Sequence, residues 1–231
     1  MTHVMCSSLQ QTSPPEPSSK CIVWLCKELG LTYTLKTYNR SPLLALPEFK
    51  AIHPQGSAPT IQDSNGDRTI TLAESGACVK YICCKHAGGK LLLNPEHPGY
   101  VDFLYWFHRS NGTLVPAASG IMITKIAGVD ESNQMASFMK MRLNKSLKLL
   151  DDRLKDNKWL AGEEFTAADL MVGFLLTTLR YFSPFSLEEF PNIVRYLGRI
   201  GKREAYRRAM KKGNPELELV LGANLPEKTL I

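Results

Sequence analysis

Asn65-Gly66, set between two short β-rich runs, is the dipeptide that most restricts how this chain folds. Asn and Gly tolerate the consecutive positive φ angles of a tight turn, so Thr60–Gln62 and Thr69–Leu72 are predicted to pair as an antiparallel hairpin. The second strand runs directly into a helix opened by Glu74-Ser75. The first amides of a helix lack intrahelical partners and its dipole is positive there, which suits an anion. Ala58-Pro59 lies just ahead of the first strand, where a proline removes no ladder bond. His53 to Ile82 therefore reads as one piece: loop, hairpin, helix start.

The flanking sequence tells what that piece is built into. His3–Leu9 alternates as a strand, and Gln10–Ser19 is a proline-rich loop that no regular element tolerates. Ile22, Leu25, Cys26 and Leu29 recur at helical spacing, with Ser18 or Ser19 available as a cap and Gly30 as the stop. Thr32–Tyr38 alternates as a second strand. Pro42 to Ile52 is a loop with one helical turn around Pro47-Glu48-Phe49. The order β-α-β-loop-β-β-α makes the first two strands parallel through a right-handed crossover, with the hairpin antiparallel. After Gly88-Gly89 the pattern changes to helices only. Tyr100 to about Ile126 is helical with a kink near Gly112 and Pro116, and Ala136–Lys155 is amphipathic. Thr166-Ala167-Ala168-Asp169 forms a capping box ahead of Leu170–Leu179, a segment apolar nearly all round and hence the centre of a bundle. Pro191 to Ile200 and Glu204–Lys211 follow. The expected domains are 1–90 and 98–231, with 91–97 as linker.

Charge and cysteine usage narrow the function classes. The net charge of +6 is densest in Arg199–Lys212. With no stacking aromatics between the cations, that run reads as a solvated helix face, and no nucleic-acid partner is expected. The apolar-leaning run Ser110–Thr124 is broken by Gly112, Pro116 and Gly120 and is too short to span a bilayer, so no membrane partner is expected either. The N-terminus lacks a signal pattern, and a cytoplasmic location is expected. Cys6, Cys21, Cys26, Cys78, Cys83 and Cys84 show neither a Cys-x-x-Cys pair nor zinc-ligand spacing, so no metal is expected. In a reducing compartment all six read as small buried hydrophobes.

Three blocks carry a resemblance. His53-Pro54-Gln55-Gly56-Ser57-Ala58-Pro59, Leu72-Ala73-Glu74-Ser75-Gly76-Ala77 and Thr166-Ala167-Ala168-Asp169 stand in the order found in cytosolic glutathione transferases, and the chain resembles that family over nearly its full length. Within it, the chain is most similar to the fungal branch related to the yeast nitrogen regulator. The resemblance implies an α/β N-terminal thioredoxin-like domain followed by an all-α helical-bundle domain. It also implies a homodimer, with glutathione on the first domain and a hydrophobic cosubstrate against the second.

Carried onto these residues, the resemblance implies that Glu74 and Ser75 hold the γ-glutamyl end of glutathione. The Ala58 backbone beside a cis Pro59 would hold the cysteinyl unit, and His53 could reach the glycyl end, though packing or capping is its commoner job. The residue that activates the sulfur follows the first strand in the family. Counting forward points to Ser13, whereas counting back from Trp24 and Gly30 lands on Pro17, which has neither hydroxyl nor N–H. Ser13, Ser18 and Ser19 all stand as catalytic candidates, with helix capping the commoner role for the last two. Ser57 replaces the Lys or Arg common two places before the cis proline. Tyr105, His108 and Asn111, three apart, would share a helix face against the cosubstrate. The substrate would be a small hydrophobic electrophile or a conjugated alkene, so conjugation and cis/trans isomerisation both remain open. Roles in detoxification or fungal secondary-metabolite biosynthesis remain open too, as does a glutathione-binding or regulatory protein without turnover.

Overall fold

A computed structural model describes residues 2–9, 20–41, 44–45, 47–65, 68–213 and 217–230. The chain divides into two compact units, Met1–Leu92 with Arg203–Glu218, and Leu93–Lys202 with Leu219–Ile231. The boundary expected at residue 98 leaves Glu204–Lys211 in the helical half, whereas in the structure this segment packs with the first unit.

The first unit is a five-stranded sheet with helices. Strands β1 (Thr2–Leu9), β2 (Tyr33–Ser41), β3 (Leu44–Ala45), β4 (Thr60–Asn65) and β5 (Arg68–Ala73) lie in the order β3-β2-β1-β4-β5. β1 and β2 are parallel, and every other pairing is antiparallel. The two-residue strand β3 falls inside the predicted Pro42–Ile52 loop; so short an edge strand has no alternation to detect. The predicted hairpin is present but longer. Asn65 pairs with Arg68, so Asn65 closes the ladder and the connection begins one residue later than the Asn65-Gly66 turn would place it.

Helix α1 (Lys20–Glu28) buries Lys20 through Cys26 without a break. A helix buried all round needs cover on more than one side. One cover is α9 (Glu204–Gly213), whose Tyr206, Ala209 and Met210 are buried, with the Tyr206 ring edge-on to Trp24 at 5.0 Å. Ahead of α9, Arg203 grips Glu28 by two parallel bonds of 2.7 Å, and the Trp24 indole N–H donates to the same carboxylate at 2.8 Å. Helix α2 (Pro47–Lys50) contributes Phe49, 1% exposed, around which Tyr38, Ile52 and Ala58 pack. Helix α3 (Ser75–Ala87) ends at Gly88, whose φ of 58° closes it in the left-handed conformation that glycine adopts without cost. Asp63 on β4 is 1% exposed. It accepts from the Tyr81 hydroxyl and shares a hydrogen bond with His86 Nε2, each at 2.8 Å, which ties the hairpin to α3.

The second unit is helical: α4 (Tyr100–Arg109), α5 (Val115–Ile126), α6 (Gln134–Asp156), α7 (Ala167–Thr177) and α8 (Pro191–Lys202). The predicted kink between α4 and α5 is a single π-helical turn, Ser110–Leu114. Its widened turn carries the chain past Gly112 and delivers Pro116 to the start of α5, where a missing N–H costs least. Helix α7 is the centre, with every residue but Phe174 buried.

The capping box on α7 is formed as predicted. Asp169 Oδ2 accepts from the Thr166 N–H at 2.8 Å, and Oδ1 accepts from the Leu160 N–H at 2.9 Å and the Tyr196 hydroxyl at 3.2 Å. Complete burial pushes its carboxyl up to about 6, with these donors pulling the other way. Asp169→Ala leaves two buried amides without acceptors, so a loss of about 3 kcal/mol in urea unfolding is expected. An unchanged midpoint would mean that water replaces the carboxylate.

Candidate functional site

The ladder of β4 with β5 positions the predicted binding residues. Thr60 pairs with Ala73, so the residues just outside that pair, Pro59 and Glu74, emerge together at one end of the sheet. The Ala58–Pro59 peptide bond is cis. The Thr60 hydroxyl donates to the Ser57 carbonyl at 2.9 Å, and the Gly56 N–H donates to the His53 carbonyl at 2.9 Å, so the loop is folded on itself. Ala58 is anchored from below by Phe49.

Glu74 is the N-cap of α3 yet makes no side-chain capping bond. Its φ of 70° is in the region that side chains avoid. Its carboxylate is exposed and instead accepts from Gln55 Nε2 at 3.2 Å, which links the loop to the helix start. Ser75 follows as the first residue of α3, half-buried. His53 is half-buried, and its Nδ1 is shielded from solvent with no hydrogen-bond partner. A buried nitrogen without a partner is costly and marks a place where a ligand atom would be welcome. His53, Ala58 and Pro59 on the loop and Glu74 and Ser75 at the helix start thus belong to segments that meet at this end of the sheet. It offers a carboxylate, an unpaired imidazole nitrogen and the positive end of a helix. That combination suits a zwitterionic peptide: a carboxylate can meet the helix amides while an ammonium meets Glu74.

Gln55 had no role from its sequence neighbours, because only the ladder brings it to Glu74. Ser13, Ser18 and Ser19 lie outside the described residues. Tyr105 and His108 are exposed on α4, and Tyr105 accepts from Arg109 Nη1 at 3.1 Å and meets Trp106 edge-on. Asn111, also exposed, sits in the π turn, where each residue turns less than in an α-helix. Among the described residues no group of three metal-ligating side chains occurs, and no helix is long and apolar enough to cross a membrane.

The cysteines divide. Cys21, Cys26, Cys78 and Cys83 are buried, whereas Cys84 is exposed, contrary to the expectation for all six. One helical step of about 100° from a buried Cys83 points to solvent. Burial pushes the thiols of Cys26, Cys78 and Cys83 up to about 12, so none is a thiolate at neutral pH.

Comparison with known proteins gives the following. The description "Glutathione S-transferase, N-terminal domain" matches residues 17–84, and "Glutathione S-transferase, C-terminal domain" matches residues 112–204. Glutathione S-transferase 1 of Schizosaccharomyces pombe is 31% identical over 67% of this chain and 68% of its own length. A glutathione S-transferase from Actinobacillus pleuropneumoniae superposes with a TM-score of 0.75 at 26% identity, covering 93% of both chains. The glutathione transferase URE2P8 of Phanerochaete chrysosporium, crystallised with oxidized glutathione, superposes with a TM-score of 0.73 at 18% identity, over 93% of this chain and 95% of that one.

Two outcomes are expected. Because glycine alone adopts positive φ freely, Glu74→Gly should be more stable than Glu74→Ala by about 1 kcal/mol in urea unfolding. Alkylation of the native protein with iodoacetamide at neutral pH, read by peptide mass spectrometry, should label Cys84 and spare Cys26, Cys78 and Cys83.

Proposed function

The chain belongs to the glutathione S-transferase family, and from that membership and the cradle at the end of the hairpin we propose that it binds glutathione and uses it on a small hydrophobic substrate. The observation that carries the proposal is the Thr60–Ala73 pairing, which sets the cis Pro59 beside Glu74 and Ser75. Glu74 meets the γ-glutamyl ammonium. The Ser75 hydroxyl and the first amides of α3 meet its carboxylate. The Ala58 backbone makes strand-like bonds to the cysteinyl unit, and His53 Nδ1 takes up a contact at the glycyl end.

The chemistry that glutathione supplies is a thiolate: attack on an electrophile gives a conjugate, and reversible addition to a conjugated alkene gives a cis/trans isomer. The protein's part is to hold a hydroxyl at the sulfur that stabilises the anion, and Ser13, Ser18 and Ser19 are the proposed sources of it. Residues 1–90, with α9 packed on them, form the thioredoxin-like glutathione-binding domain, 91–97 the linker, and the rest of 98–231 the helical domain that presents the cosubstrate site. Tyr105, His108 and Asn111 are proposed to contact the cosubstrate. The protein is read as a cytoplasmic homodimer of the fungal branch. The fission-yeast relative supports that placement, and detoxification and secondary-metabolite biosynthesis are the two settings for its activity.

Titration calorimetry tests the binding half. Glutathione should bind wild type, and Glu74→Ala should weaken binding by about tenfold or more, the loss of a charge-assisted contact. Binding indifferent to Glu74 would sink the assignment. Product mass separates the reactions, since conjugation adds the mass of glutathione and isomerisation adds nothing. Binding without any turnover across electrophiles and conjugated alkenes would make the protein a glutathione-binding or regulatory member, a reading that Pro17 permits.

A further inference from the structure

Three elements of the first unit bring side chains to one ring. Tyr33, the first residue of β2, is 9% exposed, and its hydroxyl is shielded from solvent with no hydrogen-bond partner. Burial, and behind it the neighbouring Cys26, push this hydroxyl up to about 12, so at neutral pH it keeps its proton and remains a donor. A buried donor without an acceptor costs stability and marks a place that a ligand atom would fill. Through Thr2, Tyr33 lines up with Asp63, three residues along β4 from the Thr60 that carries the cradle, so this place is separate from the one read for glutathione.

Two cations lie against the same ring. Lys212, exposed on α9, holds its ammonium 4.4 Å from the ring centroid, and Lys27, half-buried in the last turn of α1, holds its own 5.5 Å away. The two ammoniums are therefore no further apart than about 10 Å, a Debye length at 0.1 M salt, so each raises the cost of the other's charge. The ring's quadrupole attracts them but carries no net charge to cancel theirs. Among the described residues no carboxylate pairs with either lysine. Glu28, beside Lys27 in sequence, is taken by Arg203 and the Trp24 indole, and Glu204 on α9 pairs with Arg208. Burial pushes the Cys26 thiol up to about 12 against the pull of both lysines, so it supplies no counter-charge.

We propose that Lys27, Tyr33 and Lys212 bind a doubly charged tetrahedral oxyanion, inorganic phosphate or the phosphate group of a small monoester. The two ammoniums balance its two charges, and the phenolic O–H donates to one of its oxygens. A lysine meets phosphate as a point charge on a long, flexible stem, so the exposed Lys212 swings off the ring to admit the ion to the hydroxyl and then closes on it. The bound ion removes the repulsion between the two ammoniums and gives the buried donor its acceptor, which are the two costs that the empty arrangement carries.

Calorimetry on the full chain with inorganic phosphate, in a buffer free of other multivalent anions, tests the proposal without glutathione. Phosphate should bind, and acetate, with a single charge, should bind weaker by about tenfold or more. Lys27→Gln with Lys212→Gln should weaken phosphate by at least that factor, whereas Lys36→Gln with Lys211→Gln, the same loss of charge from exposed positions on β2 and α9, should not. Tyr33→Phe should weaken phosphate several-fold, yet in phosphate-free buffer its urea midpoint should be no lower than that of wild type, because the lost hydroxyl had no partner. Glycerol 3-phosphate in the same titration separates the two sources: tighter binding than phosphate assigns the site to a monoester, weaker binding to the free ion. Phosphate bound no more tightly than acetate, or as tightly by the Lys27, Lys212 double variant as by wild type, overturns the proposal. So does a Lys36, Lys211 pair that weakens phosphate equally, since net charge alone then accounts for it. A Tyr33→Phe variant that unfolds at lower urea without phosphate overturns it as well, because the hydroxyl then has a partner within the protein.

Discussion

The antiparallel pairing of Thr60 with Ala73 is the contact on which the first unit's cradle depends. A strand reverses the facing of its side chains at every residue, so a slip of one position would turn Asp63 away from Tyr81 and His86. The same slip would separate Pro59 from Glu74. Register is therefore held twice, by a buried carboxylate that must find its two partners and by Ile61, fully buried on the same strand. What emerges at the end of that ladder is a cis peptide and a helix start whose first side chain sits at positive φ. Backbone kept in a sparsely populated region by its surroundings is characteristic of binding sites, and Glu74 fits that pattern.

Buried carboxylates organise the helical unit in a comparable way. Asp169 joins α7 to the Leu160 amide and to Tyr196 on α8. Asp151, 6% exposed on α6, accepts from the Asn192 and Ile193 amides at 2.8 and 3.0 Å and so caps α8 from 41 residues away. Arg180, fully buried, donates to the carbonyls of Phe185, Gly222, Ala223 and Asn224, which fastens the final segment of the chain to the unit. Asp169 and Asp151 satisfy amides at helix starts, where a helix leaves N–H groups unpaired, and Arg180 satisfies carbonyls of irregular segments.

Legibility in the sequence followed the range of the interaction. The hairpin, the capping box, the Gly88 stop and the one-turn helix at Pro47 are set by residues within about four positions of each other, and they read correctly. Cys84 misled because a burial guess from residue type ignores helical phase. Gln55 and the Asp151 cap could not be found, since each meets its partner only after strands or helices have packed.

The sequence by itself determined the local units and their order: a mixed α/β half, a helical half, and a loop, hairpin and helix start. These follow from turn dihedrals, caps and apolar period, which are properties of neighbouring residues; the family came from the resemblance of three motif blocks. Only the tertiary structure decided that α9 returns to cover α1, with Arg203 on Glu28 and Tyr206 on Trp24. It alone set the register that makes the cradle. Burial and charge pairing belong to surfaces that the chain assembles from distant segments, so no short stretch of sequence encodes them.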